Sequence, residues 1–241
     1  MVVIMDLWAS LRIEIIKEYK KDPINFLMQP TIARCLHPRN QGKMGKAYYE
    51  TWIDEYNIKD PKYGNPAIVI DGMSSVSIQH ISYIDMIKNI WGSFNFDHIL
   101  DIGGGYGNFC RISKELGFKG QYTIADFEEL HQIQKSYLKN VSNLDNVEFK
   151  SISDCYKNVK NSLLLATFSI NEMPLLDRKI IENYYRQYSN IFIIHNKIFN
   201  EIDNVKYFTE LKEILSDEYD IDHRKSEIYG SAWYFIAKRK N

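Results

Sequence analysis

The stretch Ile99-Leu100-Asp101-Ile102-Gly103-Gly104-Gly105-Tyr106-Gly107-Asn108 restricts the fold more than any other part of the chain. An apolar run carrying a carboxylate is followed at once by four glycines within five positions. Glycine lets the backbone turn sharply and lets a ligand lie against it, because no Cβ intervenes. A helix is expected from about Asn108 to Leu116, with Gly117 as the glycine that ends it. A strand, a tight turn and a helix in that order form the carboxyl edge of an open α/β sheet, where such folds bind ligands.

The remainder of the chain agrees with this placement. After Gly92 short apolar strands alternate with helices. Strands are expected at His98–Ile102, Gln121–Ala125, Val147–Ser151, Ser162–Phe168, Ile191–His195 and Trp233–Ala237. Helices are expected at Glu128–Leu138, Asp177–Tyr188 and Phe208–Leu215. Alternation of this kind implies a mostly parallel sheet flanked by helices. Upstream, Leu7, Leu11, Ile15 and Ile16 fall at helical spacing. Ser74 or Ser75 caps a second helix that carries Ile78, Ile81, Ile84 and Ile87 toward Trp91. The expected division is an N-terminal helical extension or lid facing the substrate, residues 1–91, and an α/β core, residues 92–241.

Charge removes some function classes. Thirty Lys and Arg face 31 Asp and Glu, so no bulk field favours nucleic acid. No apolar run reaches the roughly 20 residues of a membrane span. Met1–Trp8 lacks the basic lead of a signal peptide, and the three cysteines, Cys35, Cys110 and Cys155, form no C-x-x-C pair. Asp54, Glu55 and Asp60 lack metal-ligand spacing, so no metal is expected. These features point to a cytoplasmic protein with a small-molecule partner, no nucleic acid and no membrane; a homo-oligomer is left open.

Two cofactor classes compete for the glycine turn. A dinucleotide fingerprint needs G-x-G-x-x-G, and counted from Gly103 its third glycine falls on Asn108. What is present is Asp101-x-Gly103-x-Gly105-x-Gly107. This resembles motif I of the class I, Rossmann-like methyltransferases, and the resemblance implies S-adenosylmethionine (SAM) as cofactor. By that resemblance Asp101 orients the methionine ammonium, and Gly103 and Gly105 let the amino-acid part lie on bare backbone, with Gly107 completing the turn. Asp126, at the end of the second strand, can accept hydrogen bonds from ribose hydroxyls or cap the next helix. Phe127 can cover an adenine edge or join the core. Ser153 and Asp154, after the third strand, stand where adenine is met, or are ordinary loop residues.

Three further segments narrow the resemblance. They are Tyr122–Leu130 with Gln134, Tyr137 and Leu138; Thr167-Phe168-Ser169-Ile170-Asn171-Glu172-Met173; and Ile193-Ile194-His195-Asn196-Lys197. Together they look like the sugar O-methyltransferases over residues 97–197, although Ala125-Asp126-Phe127 departs from that family's aspartate-aliphatic-proline. Thr167 is grouped with the cofactor residues. A sugar hydroxyl needs a base, which contributes about 10²–10⁴-fold. Glu172, His195 and His80 are the candidates, each with a structural alternative. Gln79, Ser169, Asn171 and Asn196 are the candidate acceptor contacts. Other small-metabolite acceptors, a non-catalytic subunit of this fold and an oxidoreductase remain competing readings, the last disfavoured by Asn108.

Overall fold

The computed structural model describes residues 7–38, 52, 55–155, 159–227 and 229–240. Asp54 and the first six residues lie outside these. The chain divides into two compact units, each discontinuous in sequence.

One unit comprises Asn95–Gly104, Lys119–Phe127 and Asn146–Asn241. It holds a seven-stranded sheet built from β3 (His98–Ile102), β4 (Gln121–Ala125), β5 (Val147–Lys150), β6 (Ser162–Thr167), β7 (Asn190–Asn196), β10 (Tyr219–Lys225) and β11 (Ala232–Arg239). The spatial order is β10-β11-β7-β6-β3-β4-β5. The five strands from β5 to β7 run parallel, whereas β11 is antiparallel to both β7 and β10. Strand β3 is buried along its whole length, and β6 and β7 nearly so. Continuous apolar runs such as Leu163–Ala166 and Ile191–Ile194 are what a strand covered on both faces requires.

Helices α6 (Leu175–Tyr185) and α7 (Asn204–Leu215) pack onto this sheet. Ile181, Tyr184 and Tyr185 from α6, with Phe208, Leu211 and Leu215 from α7, meet Leu100, Leu164, Ile191, Ile193 and Phe235 in one core. Asp203 caps α7 by accepting from the Lys206 N–H at 3.0 Å. A small hairpin, β8 (Ile198–Phe199) and β9 (Ile202–Asp203), precedes α7. Its turn holds Asn200 and Glu201 at φ +45° and +68°, the left-handed pair of a tight hairpin turn.

The other unit comprises Met1–Phe94, Gly105–Phe118 and Glu128–Asp145. Its helices are α1 (Leu7–Lys21), α2 (Pro30–Leu36), α3 (Ser75–Trp91), α4 (Asn108–Glu115) and α5 (Glu128–Val141). The Glu18 carboxylate accepts from the N–H groups of Thr31 and Ile32, satisfying donors that open α2. Of the two candidate caps of α3, Ser74 and Ser75, it is Ser74 that accepts from the Ser77 N–H, at 3.3 Å. Helix α4 ends as expected at Gly117. That residue sits at φ +92°, and Phe118 N–H returns to the Ser113 carbonyl while Gly117 N–H returns to Lys114. The sequence showed no strand here, yet β1 (Ile68–Ile70) and β2 (Met73–Ser74) form a short hairpin turning at Asp71-Gly72.

Candidate active site

Strand β3 has β4 on one side and β6 on the other, so the direction of winding reverses between β3 and β6. Ligands bind outside the carboxyl ends of strands at such a reversal. The residues singled out at strand ends converge on this edge. Asp101 and Gly103 end β3, Asp126 follows β4, Ser151–Asp154 follow β5, Thr167–Glu172 follow β6, and His195 and Asn196 end β7.

Asp101 is 1% exposed, and its Oδ2 accepts from the Tyr122 hydroxyl at 2.8 Å. Burial pushes its carboxyl up to about 7, against the smaller opposing pull of the Tyr122 hydrogen bond. The carboxylate can therefore be recruited to a cation at neutral pH. Gly103 donates its N–H to Ala125 O at 2.8 Å and adopts φ +71°. A Cβ at this position would collide with the Cβ of Ser169. Ser169 in turn donates its hydroxyl to Ile102 O. The β6 loop thus closes directly onto bare main chain. Phe168, just before it, holds φ +64°, a conformation costly for an aromatic residue, while its N–H donates to Ile194 O.

Asp126 is 7% exposed and accepts from the Phe127 N–H at 2.8 Å. Ser151 donates to Asp154 Oδ2 at 2.6 Å and lies 2.8 Å from Ser153 Oγ, so the exposed loop after β5 presents one linked set of polar groups. Thr167 and Glu172 are half-buried. Glu172 ends a short 3-10 turn, Ile170–Glu172, and its N–H donates to Ser169 O at 3.1 Å.

His195 is fully buried, and burial pushes its pKa down to about 3, so the ring is neutral. One nitrogen lies 3.0 Å from Asn196 O and the other 3.1 Å from His223 Nε2. The ring also stacks on Phe208 at 4.3 Å. With the Nδ1 proton donated to Asn196 O, Nε2 accepts from His223, which engages both nitrogens. Asn196, half-buried, follows it on the strand.

No protein-family model matches the chain, and no curated protein matches it. Solved structures do match. A SAM-dependent methyltransferase from Aquifex aeolicus is 21% identical, covering 65% of this chain and 89% of that one at a TM-score of 0.50. A candidate RNA methyltransferase from Pyrococcus horikoshii is 11% identical, covering 81% and 100% at 0.55. The glycopeptide N-methyltransferase MtfA, solved with SAM, is 10% identical, covering 66% and 93% at 0.51. This is the SAM-dependent methyltransferase fold.

In this methyltransferase fold the remaining sequence candidates belong to the other unit. Gly105 and Gly107 adopt φ +58° and +95°. The carbonyl of Gly105 accepts from Gln134 Nε2 at 2.9 Å, and a Cβ on Gly107 would come within 3.3 Å of Leu138. Gln134 and Leu138, noted for a family likeness, thus support the turn itself. Gln79 is buried. His80 Nδ1 accepts from Asn108 Nδ2 at 3.2 Å, and its pKa is pushed down to about 3 by burial and by the Arg111 and His37 charges.

Asn108, where the dinucleotide pattern failed, is the hub of a buried polar network. It donates to Ser77 Oγ at 3.0 Å and accepts from Arg111 Nε at 3.0 Å and from the Tyr137 hydroxyl at 3.1 Å. Arg111 reaches Asp60 at 3.0 Å and Glu115 at 2.9 Å. Arg111 and Glu115 are one helical turn apart in sequence, whereas Asp60 lies 51 positions away. Among the described residues no cluster of three His, Cys, Asp or Glu could hold a metal ion, and no helix is long and apolar enough to cross a membrane.

Proposed function

We propose that this chain is a SAM-dependent O-methyltransferase acting on a sugar hydroxyl, with a phosphate-linked or nucleotide-linked sugar of surface-polysaccharide assembly as acceptor. The carrying observation is the buried Asp101 carboxyl beside Gly103, whose missing Cβ lets Ser169 lie on the main chain. A glycine turn at positive φ next to a buried carboxyl raised to about 7 suits an amino acid bearing an ammonium group. When bound, SAM supplies an electrophilic methyl group on a sulfonium.

The chain's own residues then divide the work. Asp101 holds the ammonium, while Gly103, Gly105 and Gly107 shape the turn. Asp126 accepts from the ribose hydroxyls, and Phe127, Ser153, Asp154 and Thr167 surround the adenosine part. Glu172 would take the proton from the acceptor hydroxyl, whose oxygen would accept the methyl group that bound SAM supplies. His195, with both nitrogens engaged, fits a positioning role for Asn196 better than that of the base. Asn171 and Asn196 face the acceptor, and Ser169 acts through Gly103 and Ile102. Acceptor choice falls to the helical segment 1–91, including Gln79 and His80. Alignment of hydroxyl and methyl supplies much of the rate.

The test is a radiolabelled-methyl assay against nucleotide sugars and sugar phosphates. Transfer to a carbohydrate that falls about 10²-fold or more in Glu172→Gln supports the reading. Transfer to a non-carbohydrate metabolite alone would move the acceptor class, and no transfer to either would remove the activity.

A further inference from the structure

Arg178, in the first turn of α6, is fully buried. Its Nε donates to Met173 O at 3.0 Å, its Nη2 donates to Asn171 O at 2.9 Å, and the guanidinium lies 4.6 Å over the Tyr207 ring. Its Nη1 has no hydrogen-bond partner among the described residues. Among the described residues no carboxylate forms an ion pair with it, and burial pulls its pKa down. A cation at a helix N-terminus also opposes the helix dipole, which favours an anion there.

Two asparagines share this condition. Asn171 and Asn204 are each 0% exposed, and in both neither the amide nitrogen nor the amide oxygen has a hydrogen-bond partner among the described residues. Asn171 is tied to Arg178 through its own carbonyl. Asn204 opens α7 one turn before Tyr207, the ring on which Arg178 rests. Buried polar atoms in folded proteins are nearly always paired, and a fully buried cation without an anion is rarer still. An unfilled set of one guanidinium donor and two amides is what a site keeps for a ligand.

We propose that Arg178 Nη1, Asn171 and Asn204 form a closed subsite for an oxyanion, a carboxylate or phosphoryl group carried by the acceptor. Arg178 meets the charge, and the amide nitrogens donate to the remaining oxygens. The amide oxygens accept from neighbouring acceptor hydroxyls. Strand β8 packs against both the Ile170–Glu172 turn and α7, so outward movement of the β8–β9 hairpin admits the ligand. Naming the acceptor as carrier rests on the methyltransferase reading; the anion subsite does not.

The experiment is calorimetric titration of the full chain with glucose, glucuronate and glucose 6-phosphate, with and without saturating S-adenosylhomocysteine. One anionic probe is expected to bind at least about tenfold more tightly than glucose, with glucuronate or glucose 6-phosphate identifying the carboxylate or phosphoryl source. Arg178→Leu and Asn204→Leu should each weaken that anion by about 10-fold or more and leave S-adenosylhomocysteine affinity unchanged. Anions binding no better than glucose, or wild-type anion affinity in Arg178→Leu, would overturn the proposal. So would a loss confined to S-adenosylhomocysteine, which would assign the subsite to the cofactor's own carboxylate. Should Arg178→Leu fail to fold, Asn204→Leu decides by the same criterion. Absence of S-adenosylhomocysteine binding in the wild type would sink the methyltransferase reading and leave the cofactor-free anion titration to judge the subsite.

Discussion

Arg111 and Arg178 are both entirely withdrawn from solvent, yet they are provided for in opposite ways. Arg111 meets Asp60 and Glu115, with Asn108 and Ser77 completing the network. Arg178 meets two carbonyls and a ring, and one of its nitrogens is left over. Their basicity is displaced accordingly: against the pull of burial, Tyr137 together with Glu115 and Asp60 raises the pKa of Arg111, whereas burial lowers that of Arg178. A saturated buried network fixes one conformation of its unit. An unsaturated one stores an unmet demand, and demand of that kind belongs where a ligand arrives.

Removing each arginine should separate the two cases. Arg111→Met strands the Asp60 carboxylate, whose side chain is fully buried, and should cost about 3–5 kcal/mol, read as a lower urea midpoint. Arg178→Leu frees only two carbonyls and removes an unpaired charge, so its cost should be smaller, about 1–3 kcal/mol. Equal losses would erase the distinction. Asn171→Leu and Asn204→Leu replace unsatisfied amides with apolar groups of similar shape and should shift stability by less than about 1 kcal/mol, in either direction. A larger destabilisation would show that both amides are paired in solution.

Asp101 gives the clearest dependence on pH. Its carboxyl is raised from an ordinary 3.8 to about 7. The stability it contributes is therefore complete below about 4 and is lost as pH rises through about 7. Asp101→Asn should flatten thermal stability across that window relative to the wild type. An unchanged slope would assign the pH dependence to other groups.

How much of this was legible in the sequence depends on how locally each feature is specified. The β3 turn, the Ser74 cap and the Gly117 stop are encoded within a few positions, and they stand where expected. Helix α6 begins two residues earlier than expected, at Leu175, because Pro174 fixes the backbone that enters it. Helix α7 begins at Asn204 rather than Phe208, since its cap, Asp203, was hidden in a polar loop. Strand β10 went unseen: Tyr219–Lys225 is an edge strand rich in charge, and its pairing with β11 supplies the regularity that its residues do not advertise. The β8–β9 hairpin was missed for want of a glycine at its turn, where Asn200 and Glu201 take the left-handed conformation instead.

The candidate site shows the same division. Asp101, Gly103 and Asp126 carry a short-range signature. Asp60 with Arg111, and Tyr207 with Arg178, are brought together only by the fold, and no spacing announces them. The structure separates Gly103 from Gly105. An added Cβ on Gly105 meets nothing within 4 Å, although its φ of +58° still disfavours a side chain. On Gly103 it strikes Ser169. Gly103→Ala is therefore the sharper disruption of the turn.

The most direct test of the cofactor assignment is calorimetric titration of the wild-type chain with S-adenosylhomocysteine at pH 6 and pH 8, with NAD as the control. Ionisation of Asp101 around 7 should make S-adenosylhomocysteine bind about tenfold more tightly at pH 8 than at pH 6, with no heat from NAD. NAD binding in its place, or S-adenosylhomocysteine affinity that Gly103→Ala and Asp101→Asn leave untouched, would contradict the assignment.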